Sequence, residues 1–129
     1  MLRLVELPQA DIIVLALPLS SQTEQLINNF EFEIMKDAVI LINVARGQMV
    51  DIKALKKHLS QKPEMQACLD VLLQEPLPAD DELWTYPNVF ITPHVAYSSK
   101  LYKLRAANIW LDNLRRFQKG LQLKHIATP

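Results

Sequence analysis

Ala38-Val39-Ile40-Leu41-Ile42, followed at once by Asn43-Val44-Ala45-Arg46-Gly47, is the stretch that decides the fold. An unbroken aliphatic run of this length reads as a buried strand, and the polar turn behind it sets an arginine just past the strand end. The pattern recurs twice downstream: Ala67–Leu73 leads to Glu75-Pro76, and Val89–Ile91 leads to Thr92-Pro93-His94. Upstream, Ile12–Leu17 is uninterrupted aliphatic sequence closed by Pro18 and reads as a fourth strand, covered on both faces.

Helical spacing fills the intervals. Ser20, Ser21 or Thr23 can cap a helix carrying Leu26, Ile27 and Phe30, with a further short turn through Phe32 and Met35. Asp51 is placed to cap an amphipathic helix that sets Ile52, Leu55 and Leu59 on one side. A last helix is expected from about Ser98 to Lys119, its apolar stripe formed by Leu104, Ala107, Leu111 and Leu114, with Gly120 as its stop. Strands alternating with helices imply an α/β fold, a parallel sheet of about four strands with flanking helices. In such a sheet the carboxyl ends of the strands share one rim, where α/β proteins bind ligands.

Composition narrows the chemistry. Over 129 residues, 14 Lys and Arg balance 14 Asp and Glu, which argues against a nucleic-acid partner. Lys56-Lys57-His58 and Arg115-Arg116 read as solvated helix faces, and His58 and His125 as solvated histidines. The single cysteine, Cys68, excludes an internal disulfide and reads as a small buried filler. No apolar run nears the roughly 20 residues that cross a bilayer, no charged start leads into an apolar signal segment, and a reducing cytoplasmic setting is expected. No His, Cys, Asp or Glu cluster has metal-ligand spacing. With Gly47 and Gly120 as its two glycines, the chain has no glycine-rich phosphate loop.

Three side chains carry the candidate chemistry. Arg46 can grip a carboxylate with two parallel hydrogen bonds, though spacing alone leaves an ordinary surface arginine equally open. His94 is a candidate acid/base, and Glu75 is a candidate to stabilise its imidazolium form. Asp70, in otherwise apolar sequence, must find donors, with a capping role and an amide-binding role both open. Asn43 reads as a turn former or a ligand contact.

Leu17-Pro18 with Thr23, the run Leu41–Asp51, Leu69-Asp70-Val71 with Glu75-Pro76-Leu77-Pro78, then Leu83-Trp84, Pro87-Asn88-Val89 and Thr92-Pro93-His94, resemble the D-isomer-specific 2-hydroxyacid dehydrogenases in register. The resemblance implies that Arg46 holds a substrate carboxylate, His94 is the acid/base, Glu75 orients and charges it, and Asp70 contacts a nicotinamide carboxamide. It places Pro18, Thr23, Val44 and Ala45 along a dinucleotide, NAD or NADP, and implies hydride transfer between NAD(P)H and a small 2-oxo or 2-hydroxy acid. It further implies that residues 1–129 are the second half of a Rossmann-like dinucleotide-binding domain, without the Gly-rich first βαβ unit and without a substrate domain. Tyr97-Ser98-Ser99-Lys100 departs from the small, glycine-containing sequence usual after the histidine, and Leu72-Leu73 from a common aromatic and carboxylate. A chain of this kind is expected to be inactive alone and to associate as a homodimer or with a missing N-terminal half. The alternatives are a non-catalytic interaction or regulatory remnant, and one half of a complementing split enzyme.

Overall fold

The structure, a computed structural model, describes residues 5–126. It divides into two compact units, residues 5–96 and 97–126. The first holds β1 (Ile12–Leu15), α1 (Asn29–Ile34), β2 (Ile40–Asn43), α2 (Ile52–Gln61), β3 (Gln66–Leu69) and β4 (Val89–Ile91). The strands form one parallel sheet in the order β1-β2-β3-β4, so each connection steps to the adjacent strand. Successive crossovers of one hand put their helices on one side of the sheet.

Burial follows that arrangement. Ile13, Leu15, Leu41, Ala67 and Leu69 point inward and join Phe32, Met35, Leu55 and Leu59 in a single apolar core. The alternate residues form the opposite face, where Val14, Ile42, Cys68 and Phe90 lie in one register row. Ile12, Val14 and Phe90 are each more than half exposed there. The expectation that the first strand is covered on both faces is therefore corrected: within residues 5–96, helices cover one face. Cys68, expected as a buried filler, is only half-buried on the other.

The reading of Leu26, Ile27 and Phe30 as a helix face is also corrected. Residues 21–25 form turns, and Ile27 makes a parallel bridge to Val50 instead. The helix starts later because Asn28 is the better cap: its side chain accepts from the Phe30 amide while Glu31 returns a bond to the Asn28 amide. That reciprocal pair satisfies two donors that a helix start otherwise leaves open. Phe30 then points to solvent and Phe32 into the core.

α2 begins where expected. The Asp51 carboxylate accepts from the Lys53 and Ala54 amides, and Leu55 and Leu59 are buried beneath. The second unit is built around α3 (Tyr102–Gln118). It starts later than the expected Ser98, and its apolar stripe does not make a core, since no α3 residue is buried. Its end is closed by Gly120, whose φ of 64° is readily adopted by glycine alone.

Candidate active site

Asn43, at the end of β2, is 1% exposed and shapes the turn beyond it. Its Oδ1 accepts from the Ala45 amide and its Nδ2 donates to the Arg46 carbonyl, both at 3.0 Å. Of the two readings of Asn43, the turn former is the one this geometry supports. Arg46 stands exposed at the apex, its guanidinium donating to the Ala45 carbonyl at 2.6 Å. Gly47 follows because nothing larger fits: a Cβ there would lie 2.0 Å from the carbonyl carbon of Leu72. The arginine turn is thus pressed against the segment that follows β3.

That segment holds the carboxylate. Glu75 Oε1 accepts from the Leu72 amide at 2.8 Å, and Oε2 meets His94 Nδ1 at 2.8 Å. An ionised carboxylate can only accept, so Nδ1 carries the proton of this pair. The Leu72 amide, then the His94 hydrogen bond, hold the Glu75 carboxyl below its ordinary value despite partial burial. His94 follows β4 through a tight turn in which its amide donates to the Thr92 carbonyl at 3.0 Å across Pro93. Its φ is 54°, in the left-handed region that costs a residue with a Cβ roughly 1 kcal/mol or more.

Asp70 binds the far side of the same loop. Its Oδ1 accepts from the Thr92 hydroxyl and from the Val95 amide at 2.9 Å, and its Oδ2 from the Ala96 amide at 2.9 Å. Burial pushes this carboxyl up, but the Thr92 hydroxyl, the Ala96 and Val95 amides and the nearby His94 outweigh it, and it sits below its ordinary value.

Arg46, Glu75 and His94 line one cavity of about 240 Å³, together with Gly47, Gln48, Leu72 and Leu73. Arg46 also borders a second cavity of about 490 Å³, walled by Ala16–Leu19, Val44 and Ala45. Pro18, Val44 and Ala45 therefore share a wall with the arginine. Thr23 does not reach it: 6% exposed, its hydroxyl donates to the Pro18 carbonyl at 2.8 Å and braces the turn from below. A third cavity, of about 390 Å³, lies behind the acid–base pair, with Asp70, Leu77, Trp84 and Ile91 in its walls.

Sequence reasoning missed several participants. The Leu72 amide has no signature in a side chain. Thr92 was visible in Thr-Pro-His, but only the fold reveals its hydroxyl on Asp70. The reading of His58 as solvated is overturned: it is 3% exposed, stacked on Phe32, with Nε2 3.3 Å from Asn29 Oδ1. Its position three residues after Leu55 was the available signal. His125 is exposed, as expected. Among the described residues no group of three or more His, Cys, Asp or Glu could hold a metal ion. No described helix is long and apolar enough to cross a membrane.

Sheet and site together define a parallel α/β protein with an arginine and a carboxylate–imidazole pair at the carboxyl rim. Residues 5–96 match the family described as D-isomer specific 2-hydroxyacid dehydrogenase, NAD binding domain. A glyoxylate/hydroxypyruvate reductase B of Enterobacter sp. (strain 638) is 42% identical over 124 residues, covering 95% of this chain and 38% of the relative. A glyoxylate reductase of Korarchaeum cryptofilum is 39% identical over 114 residues, 88% of this chain and 34% of its own length. Among solved structures, a D-isomer specific 2-hydroxyacid dehydrogenase from Xanthobacter autotrophicus Py2 in complex with NADPH and MES superposes with a TM-score of 0.85 at 34% identity, over 98% of this chain and 53% of that one. The chain belongs to the D-isomer specific 2-hydroxyacid dehydrogenase family, through its NAD binding domain. It spans little more than a third of the length of these curated relatives.

Proposed function

We propose that this chain supplies the second half of a dinucleotide-binding domain in an NAD(P)-dependent 2-hydroxyacid dehydrogenase, with the substrate domain and the glycine-rich unit lying outside it. The observation that carries the reading is the shared cavity of Arg46, Glu75 and His94, with His94 Nδ1 2.8 Å from Glu75. Arg46 grips the carboxylate of a small 2-oxo acid and polarises the adjacent carbonyl. In the reductive direction the imidazolium form of His94 donates its Nε2 proton to the carbonyl oxygen as negative charge builds there. Glu75 stabilises the imidazolium and holds its orientation. In the oxidative direction neutral His94 takes the hydroxyl proton.

The cavity beside Arg46 fits one end of a nicotinamide dinucleotide, with Pro18, Val44 and Ala45 as its wall and Thr23 bracing Pro18. When bound, NAD or NADP supplies the hydride chemistry; the protein contributes binding, orientation and charge. Asp70 would be the residue to hold the carboxamide when the dinucleotide is bound. Gly47 and Gly120 form no phosphate cradle, so the pyrophosphate needs donors from elsewhere. One observation favours complementation by a further segment, an N-terminal half or a second copy: β1 is an edge strand whose Ile12 and Val14 are exposed. A reducing cytoplasm is the compartment we assign, consistent with the lone thiol.

Titrating the labelled chain with oxamate, an isostere of pyruvate, tests the reading by amide NMR. Perturbations are expected at residues 46, 75 and 94, and are expected to vanish in Arg46→Lys. Equal binding of acetate, or an unaffected Lys variant, refutes it.

A further inference from the structure

Resting on that reading, we infer that Asp70 is a positioning residue for the acid/base: by drawing the Thr92 hydroxyl and the Val95 and Ala96 amides onto one carboxylate, it holds His94 in its left-handed turn with Nδ1 facing Glu75.

The bonds bracket the histidine in sequence. Thr92 lies two residues before His94, and Val95 and Ala96 immediately after it. All three donors converge on a side chain that is 6% exposed, while Thr92, Val95 and Ala96 are themselves exposed. Thr92, Val95 and Ala96 are exposed, so these bonds to a charged acceptor, with the Thr92 amide on the Leu69 carbonyl, restrain the loop on both sides of His94. Without them a φ of 54° at a residue bearing a Cβ would relax toward negative values and swing the imidazole off Glu75.

The anchoring point matters as much as the bonds. Asp70 follows β3 directly, and its amide donates to the Asn43 carbonyl at 3.0 Å, extending the β2–β3 ladder. Two residues on, the Leu72 amide holds Glu75 and the Leu72 carbonyl abuts Gly47. Residues 70–72 therefore reference His94, Glu75 and the Arg46 turn to one short piece of backbone. A carboxylate in this place has work to do before any cofactor arrives.

The test uses the full chain and reads the His94 ring directly by nitrogen NMR. Asp70→Asn keeps the shape but sets an NH2 group, or an oxygen of weaker acceptor strength, against donors that need a carboxylate. Expected results are loss of the Nδ1-protonated tautomer in favour of Nε2-protonated imidazole, and amide exchange at Val95 and Ala96 faster by roughly tenfold or more, as loss of charge-assisted bonds implies. Amide signals of the strands should stay unchanged. Thr92→Val removes one donor and should give a smaller shift of the same kind, which keeps the test open should the Asn variant fold poorly. An unchanged tautomer and unchanged exchange in both variants overturn the inference, as does a change spread over the whole sheet. Oxamate titration of the parent separates the two levels. Its failure counts against substrate-carboxylate binding by Arg46 within this chain, whereas the tautomer result still decides what Asp70 does to His94.

Discussion

Gly47→Ala is the most incisive perturbation of this site, because the geometry leaves the new methyl nowhere to go. Its Cβ would lie 2.0 Å from the carbonyl carbon, 2.2 Å from the oxygen of Leu72 and 2.4 Å from the amide nitrogen of Leu73. Ordinary contact begins at 3.4 Å, so the two segments must part by about 1.4 Å, the difference between 3.4 and 2.0 Å. These are backbone atoms at the peptide joining residues 72 and 73, so rotamer changes give no relief. Forcing an extra methyl into a filled site costs about 1–3 kcal/mol. With a urea slope of roughly 1–3 kcal/mol per molar for a small domain, the midpoint should fall by about 1 M. The displaced segment also carries the Leu72 amide that holds Glu75. Misplacement by about 1 Å is enough to cost a catalytic site on the order of a hundredfold. The assay is urea unfolding of parent and variant, followed by oxamate binding. A midpoint unchanged within error, with perturbations at residues 46 and 75 retained, would refute the claim that this contact spaces the arginine from the acid–base pair.

Other outcomes follow from the same geometry. His58 Nδ1 is buried with no hydrogen-bond partner among the described groups, and burial, then Lys57 and Lys62, lower its pKa from 6.5 against the opposing pull of Glu33. The unfolded chain therefore binds the proton more readily, and stability should fall as pH drops below 6.5, by at most about 1.4 kcal/mol per pH unit for one proton. His58→Leu should flatten that slope in denaturation curves between pH 7 and 5; an identical slope would count against it. Asp51→Ala removes the cap of α2 and should cost about 1 kcal/mol, read as a lowered urea midpoint.

How far the sequence could be read depended on the range of the interactions. Strands β2, β3 and β4 are legible because each is an apolar run followed by a polar turn, and the Asp51 cap lies next to the helix it starts. β3 nevertheless ends at Leu69 rather than at Leu73, because the apolar run continues past the last ladder residue. Arg46, Glu75 and His94 could be paired because their strand ends share a rim in any parallel sheet. The start of α1 was misread because Leu26, Ile27 and Phe30 satisfy helical spacing, while the bridge from Ile27 to Val50 is a distant contact that no local pattern announces. The histidine at position 58 went astray for a related reason: two lysines beside it suggested solvent, and Phe32 above it belongs to another helix. The hold of Asp70 on the Thr92–Ala96 loop joins residues more than twenty apart, which composition and spacing do not encode.

The one-sided sheet has a practical corollary. The single thiol of the protein sits at Cys68, within the row Val14, Ile42, Cys68, Phe90. A maleimide reaching that thiol reports on this side of the sheet and no other. Whatever comes to rest there must slow the labelling, so the molecule carries its own footprinting probe.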